Sequence, residues 1–164
     1  MIKNVKWIFV VLIISSLISF SFVGKNTPTE GLTIGDKAPT FTICGEKQLI
    51  DLKDLRGKYV LLSFWASYDA PSRVQNATLN HAIEQADNVE MVSVSFDEFS
   101  SVCKETIRKD RLNARVCAVE TKGEDSGLFK KYRLNRGFAN YLLDDNGIII
   151  AKNISAENLL SILN

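Results

Sequence analysis

Seven consecutive residues, Tyr59-Val60-Leu61-Leu62-Ser63-Phe64-Trp65, constrain this chain more than any other stretch. The run carries no charge and no alternation of polar with apolar side chains. A strand buried on one face alternates with period two, whereas a strand that does not alternate must be covered on both faces. Helices on either side of a largely parallel sheet give that cover. The run therefore predicts an α/β architecture with Tyr59 to Trp65 at its centre.

The flanking sequence agrees. Ala38 to Cys44 and Gln48 to Asp51 read as short extended pieces, and Leu52 to Gly57 as a charged turn. Pro71 to Ala86 reads as a helix, with proline near its start and Leu79, Ile83 and Ala86 at helical spacing. Val89 to Phe96 reads as a strand, Phe99 to Asp110 as a helix, Ala114 to Val119 as a strand and Ser126 to Tyr132 as a short helix. Tyr141 to Leu143 and Ile148 to Ala151 form a hairpin across Asp144-Asp145-Asn146-Gly147, since Asn-Gly favours a tight turn. Ser155 caps a last helix, Ala156 to Leu163, with Leu159, Leu160 and Ile162 turned inward. The order is β-β-α-β-α-β-α-β-β-α, a mixed sheet with helices on both faces and the hairpin as antiparallel edge strands.

The start of the chain has a different character. Lys3 and Lys6 precede Trp7 to Val23, a stretch without charge, and a polar segment follows. Basic start, apolar run and polar tail form the pattern of an export signal or a membrane anchor. Residues 1–24 are assigned to it, 25–34 to a linker and 35–164 to the folded domain. Lys3 and Lys6 favour a cytoplasmic N-terminus, which leaves the domain extracytoplasmic. Of 20 Lys and Arg residues only these two lie in the first 24, so the rest carries 18 bases against 19 acids. That balance gives no field for nucleic acid. The basic run Lys104, Arg108, Lys109, Arg111 and Arg115 reads as a solvated helix face. The three cysteines, Cys44, Cys103 and Cys117, have no metal-ligand spacing, and His81 is the single histidine, so neither a metal nor another cofactor is expected. A Cys103–Cys117 disulfide is one reading of the pair; three small buried side chains is the other.

Three blocks carry a resemblance. Gly35-Asp36-Lys37-Ala38-Pro39-Thr40-Phe41-Thr42, the stretch from Asp51 to Ser67, and Tyr141-Leu142-Leu143-Asp144-Asp145-Asn146-Gly147 resemble, in order and spacing, the peroxiredoxin and TlpA/ResA-type thioredoxin-like proteins. The resemblance implies a thioredoxin-like fold from Gly35 to Asn164. In that family the central strand ends in Trp-Cys-x-x-Cys at a helix N-terminus, where the helix dipole stabilises a thiolate that attacks a substrate disulfide. Here the matching stretch is Tyr68-Asp69-Ala70-Pro71-Ser72-Arg73. Asp69 takes the first cysteine's place and Ser72 the second's. The slot of the family's cis-proline holds Phe138.

These departures set the functional expectation. A carboxylate cannot exchange with a disulfide and a hydroxyl cannot resolve one. Asp69 suits a helix N-cap, with Arg73 four residues on as an ion-pair partner. The expected function is a non-catalytic, exported module that binds a peptide or protein of the cell envelope, touching the membrane only through residues 1–24. Trp65, Tyr68, Asp69, Arg73, Arg136 and Phe138 are the candidate binding surface. The alternative is a thiol-disulfide oxidoreductase working through the remaining cysteines.

Overall fold

The computed structural model describes residues 27–45, 49–84, 86, 88–113 and 116–163. The segment read as a signal or anchor lies outside the described residues. The elements run β1 (Thr42–Cys44), β2 (Leu49–Asp51), β3 (Tyr59–Trp65), α1 (Ala70–Ile83), β4 (Val89–Ser95), α2 (Ser100–Asp110), β5 (Cys117–Val119), α3 (Gly127–Lys131), β6 (Asn140–Leu143), β7 (Ile149–Lys152) and α4 (Ala156–Leu163). Single 3-10 turns fill Leu52–Leu55, Gly123–Asp125 and Leu134–Arg136.

The main sheet has the order β5-β4-β3-β6-β7, and β1 pairs with β2 in a separate small hairpin. β3 runs parallel to β4, from Tyr59 opposite Val89 to Trp65 opposite Ser95. β4 runs parallel to β5. β6 is antiparallel to both β3 and β7. The hairpin therefore does not sit wholly at the edge, as expected from sequence. Its first strand lies inside the sheet, because the β6 residues Asn140 to Leu143 are buried and need neighbours on both sides.

β3 alternates its side chains between two cores. Val60, Leu62 and Phe64 enter a cluster with Val92, Val94, Phe96, Tyr132 and Tyr141, closed by α3 and by residues of the β1–β2 hairpin. Leu61 meets Leu79 of α1, Met91, Leu142 and Leu159 of α4. Trp65 meets Cys103 of α2 and Cys117 of β5. Each fully buried Leu or Phe contributes about 1.5–3 kcal/mol relative to exposure, which is why the run tolerates no charge.

Several boundaries differ from expectation. The first strand is only Thr42–Cys44, since Ala38 is held by a bond from its N–H to the Gly147 carbonyl at 3.0 Å. α1 stops at Ile83 rather than Ala86. The last helix turns Leu159 inward, but Ile162 is 45% exposed: with 3.6 residues per turn the buried stripe runs through Leu159 and Leu163, leaving Ile162 at the rim. Ahead of the domain, the Thr29 carbonyl accepts from the Lys37 N–H at 2.9 Å and the Gly31 N–H donates to the Lys37 carbonyl at 3.1 Å. The hairpin turn has Gly147 at φ 81° and not Asn146. It is held instead by the Asp144 carboxylate, which accepts from the Asn146 and Ile148 N–H groups at 3.0 and 2.8 Å.

Candidate functional site at the strand-to-helix junction

The junction that follows β3 is built by three short-range contacts. Asp69 is the N-cap of α1, with extended backbone, and its carboxylate accepts from the Ser72 N–H at 3.0 Å. The Ser72 hydroxyl is buried. It donates to the Asp69 carbonyl at 3.1 Å and accepts from the Ala66 N–H at 3.4 Å. Pro71 lies in the first turn of α1, where its missing N–H costs no bond. The carboxylate at Asp69 thus satisfies an orphan donor and the positive end of the helix together.

The inner side of this junction is polar and buried. Trp65 is fully buried, and its indole N–H donates to the Ser93 hydroxyl at 2.8 Å. Ser93 donates in turn to the Asn76 side-chain carbonyl at 3.0 Å. One turn further on, Asn80 exchanges two bonds with the Asn113 backbone. Trp65 is therefore removed from the candidate surface. As the last residue of a strand covered on both faces, it packs against α2 and β5 rather than pointing out.

On the outer side, Tyr68 is 70% exposed with its ring 6.4 Å from that of Phe138. Phe138 is half-buried. It stacks on Phe96 at 5.9 Å and meets Phe129 edge-on at 6.3 Å. No peptide bond among the described residues is cis, so the loop carrying Phe138 is trans throughout. Burial raises the Tyr68 phenol above its usual range, and the carboxylates of Asp97, Glu124 and Asp69 raise it further.

The two arginine candidates are held differently. Arg73 does not pair with Asp69, whose carboxylate is committed to the cap. Its Nε and an Nη donate to the two Asp110 oxygens at 2.7 and 2.6 Å, a bidentate tie from α1 to the end of α2. The Arg73 hydrogen bond lowers the Asp110 carboxyl below its ordinary value. Arg136 is exposed in a separate cleft shared with Glu124 and Arg133. Tyr68, Asp69 and Phe138 remain together and Arg73 lines the same cleft as Tyr68, whereas Trp65 is buried and Arg136 lies in a separate cleft.

Asp97 was not singled out from sequence. It is buried at the end of β4. Its carboxylate accepts from the Ser67 N–H at 2.9 Å, the Ser67 hydroxyl at 2.7 Å and the Ser95 hydroxyl at 2.6 Å. It locks the loop before Tyr68 to β4. A carboxylate directly after the strand read from Val89 to Phe96 was the available signal. Above it lies a cleft of about 640 Å³ that also holds Tyr68, Phe99 and Val102.

No cysteine stands at the junction. Cys44 is exposed on β1, while Cys103 and Cys117 are buried beside Trp65. Among the described residues no three of His, Cys, Asp and Glu converge in a way that would hold a metal.

A central β3 flanked by parallel β4 and antiparallel β6, with a helix starting at the β3 C-terminus, defines a thioredoxin-like fold. The AhpC/TSA family model matches residues 34–152, and the chain belongs to that family, among its TlpA/ResA-type thioredoxin-fold members. It is similar to the thiol-disulfide oxidoreductase ResA of Bacillus cereus, 27% identical over 147 residues, spanning 87% of this chain and 83% of that protein. A thioredoxin-like protein from Parabacteroides distasonis superposes with a TM-score of 0.75 at 38% identity, covering 84% of this chain and 98% of that one. A putative thiol:disulfide interchange protein DsbE from Chlorobium tepidum gives 0.68 at 25% identity, covering 82% and 100%.

Proposed function

We propose that this chain is an exported, non-catalytic thioredoxin-like module that binds a peptide or protein segment of the cell envelope at the outer side of the β3–α1 junction. The observation that carries the reading is the Asp69 carboxylate bonded to the Ser72 N–H at 3.0 Å. A nucleophilic sulfur needs that helix end to hold its negative charge. With a fixed carboxylate there, and the buried Ser72 hydroxyl beside it, thiol–disulfide exchange has no agent at the junction. What remains is shape: an exposed Tyr68 over Phe138, beside an open cleft. The basic and apolar pattern of residues 1–24 supports export, and the AhpC/TSA and ResA-type relationship is compatible with it.

The test is reduction of insulin disulfides in the presence of dithiothreitol. The full chain is expected to reduce insulin no faster than dithiothreitol alone. A rate well above that background, abolished by Cys103→Ser or Cys117→Ser, would overturn the reading and make the chain an oxidoreductase acting through its remaining cysteines.

A further inference from the structure

The 3-10 turn Leu134–Arg136 brings two cations to one place. Arg133 is its N-cap residue and Arg136 its last, and side chains three apart nearly eclipse in such a turn. Both line a cleft of about 450 Å³, together with Glu124, Phe129, Lys130 and Asn135. Lys130 stands 3.9 Å from the Asp125 carboxylate and donates to the Asp125 carbonyl at 3.2 Å. Among the described residues neither the Arg133 nor the Arg136 guanidinium is paired with a carboxylate, although Glu124 lines the same cleft. With Lys130 and Asp125 set aside as a pair, two guanidiniums face one carboxylate. The lining is cationic whichever way Lys130 is counted.

A row of rings joins this cleft to the outer side of the β3–α1 junction. Phe129 lines the cleft and meets Phe138 edge-on at 6.3 Å, and Phe138 lies 6.4 Å from Tyr68. Glu124 is near enough to both to line the cleft and to act on the Tyr68 phenol. Extended chain advances roughly 3.3 Å per residue, so a segment resting on Tyr68 and Phe138 reaches the cleft within a few residues. A guanidinium presents a planar fork of donors that a carboxylate matches with two parallel bonds. Complementary potential then selects an acidic partner over a neutral or basic one.

We infer that the cleft at Arg133 and Arg136 takes the acidic side chains of an extended polypeptide segment whose apolar side chains lie on Tyr68 and Phe138. This rests on the peptide-binding reading above and specifies its ligand as acidic. Glu124, the cleft's own acid, opposes such a ligand and limits its affinity. Both arginines and Glu124 are exposed, so each can be changed without touching the core.

Fluorescence anisotropy of the full chain in mild detergent tests it with two labelled decapeptides. One alternates Glu with Leu and Phe, and the other carries Gln in place of every Glu. The Glu peptide is expected to bind at least roughly tenfold more tightly, with the margin shrinking in high salt. The double variant R133Q/R136Q is expected to bring the Glu peptide down to the level of the Gln peptide. Glu124→Gln is expected to do the reverse and tighten the Glu peptide, with circular dichroism unchanged in both variants. Inorganic phosphate, added at constant ionic strength, is expected to leave the Glu peptide bound. Equal binding of the two peptides would overturn the acidic ligand but leave peptide binding standing. A Glu margin that survives R133Q/R136Q would overturn the assignment to this cleft, and displacement by millimolar phosphate would replace the peptide by a free anion. Binding of neither peptide would overturn both this inference and the reading it rests on.

Discussion

The two sides of the β3–α1 junction are made from neighbouring residues and are built by opposite rules. Inside, Trp65, Ser93 and Asn76 form a hydrogen-bonded thread with almost no exposed surface. Outside, three residues along the chain, Tyr68 is mostly in water, and across the cleft Phe99 and Val102 are exposed as well. Burial on the inner side is what a fold needs. Exposed aromatics on the outer side contribute little to folding, so their clustering is evidence for contact with something else. The contrast separates the side chains that hold the sheet and α1 together from those whose exposure the fold does not explain.

The most severe way to break the comparison is to truncate one aromatic on each side. Trp65→Ala is expected to cost about 3–5 kcal/mol, because it empties a fully enclosed site and strips Ser93 of its indole donor. Tyr68→Ala is expected to change stability by under about 0.5 kcal/mol, as for an exposed residue away from caps and core. Urea midpoints of the two variants measure both. Similar losses would mean that the outer aromatics belong to the fold, and the binding argument would lose its basis.

A smaller effect sharpens the same contrast. Ser93→Ala leaves the Trp65 N–H and the Asn76 amide without their shared hydroxyl, in a place that excludes bulk water. Such a deletion costs about 1–3 kcal/mol. Denaturant unfolding gives the loss directly, and the near-ultraviolet dichroism of Trp65 should change with it. A Ser93→Ala variant as stable as the parent would show that the inner thread is incidental to packing.

Much of the fold was legible because β3 leaves few options: a continuous apolar strand needs two covered faces, and the helices on either side of it supply them. The direction of individual side chains was less so. At the end of β3 both faces are buried, so nothing local says that Trp65 points inward. The buried face of α1 includes Asn76 and Asn80, which an apolar periodicity reads as solvent-facing; their partners, Ser93 and the Asn113 backbone, are distant in sequence. The cap at Asp69 was legible because it is local. The partner of Arg73 was not, since a four-residue rule pointed to Asp69 while the carboxylate that binds it lies 37 residues on. Glu30 to Ile34 reads as linker by composition, yet Glu30 bridges to Lys37 and the Gly31 N–H donates to the Lys37 carbonyl.

The Arg73–Asp110 tie gives the smallest effect and lies on the seam between the two sides. The Asp110 carboxyl has a lower pKa in the folded protein than in the unfolded chain, chiefly through the Arg73 hydrogen bonds. A group depressed on folding adds stability that is complete above its unfolded value, about 3.9 for Asp. That stability fades as pH falls through the lower folded value. The Arg73 side chain is 34% exposed, so solvent screens the pair and its worth is about 0.5–1 kcal/mol. Asp110→Asn is therefore expected to lower the urea midpoint modestly at pH 7. The gap between variant and parent should close as pH falls below the ordinary carboxylate range and through the lowered Asp110 value of the folded protein. A gap that stayed constant down to pH 2 would assign the effect to packing of α1 on α2 rather than to charge.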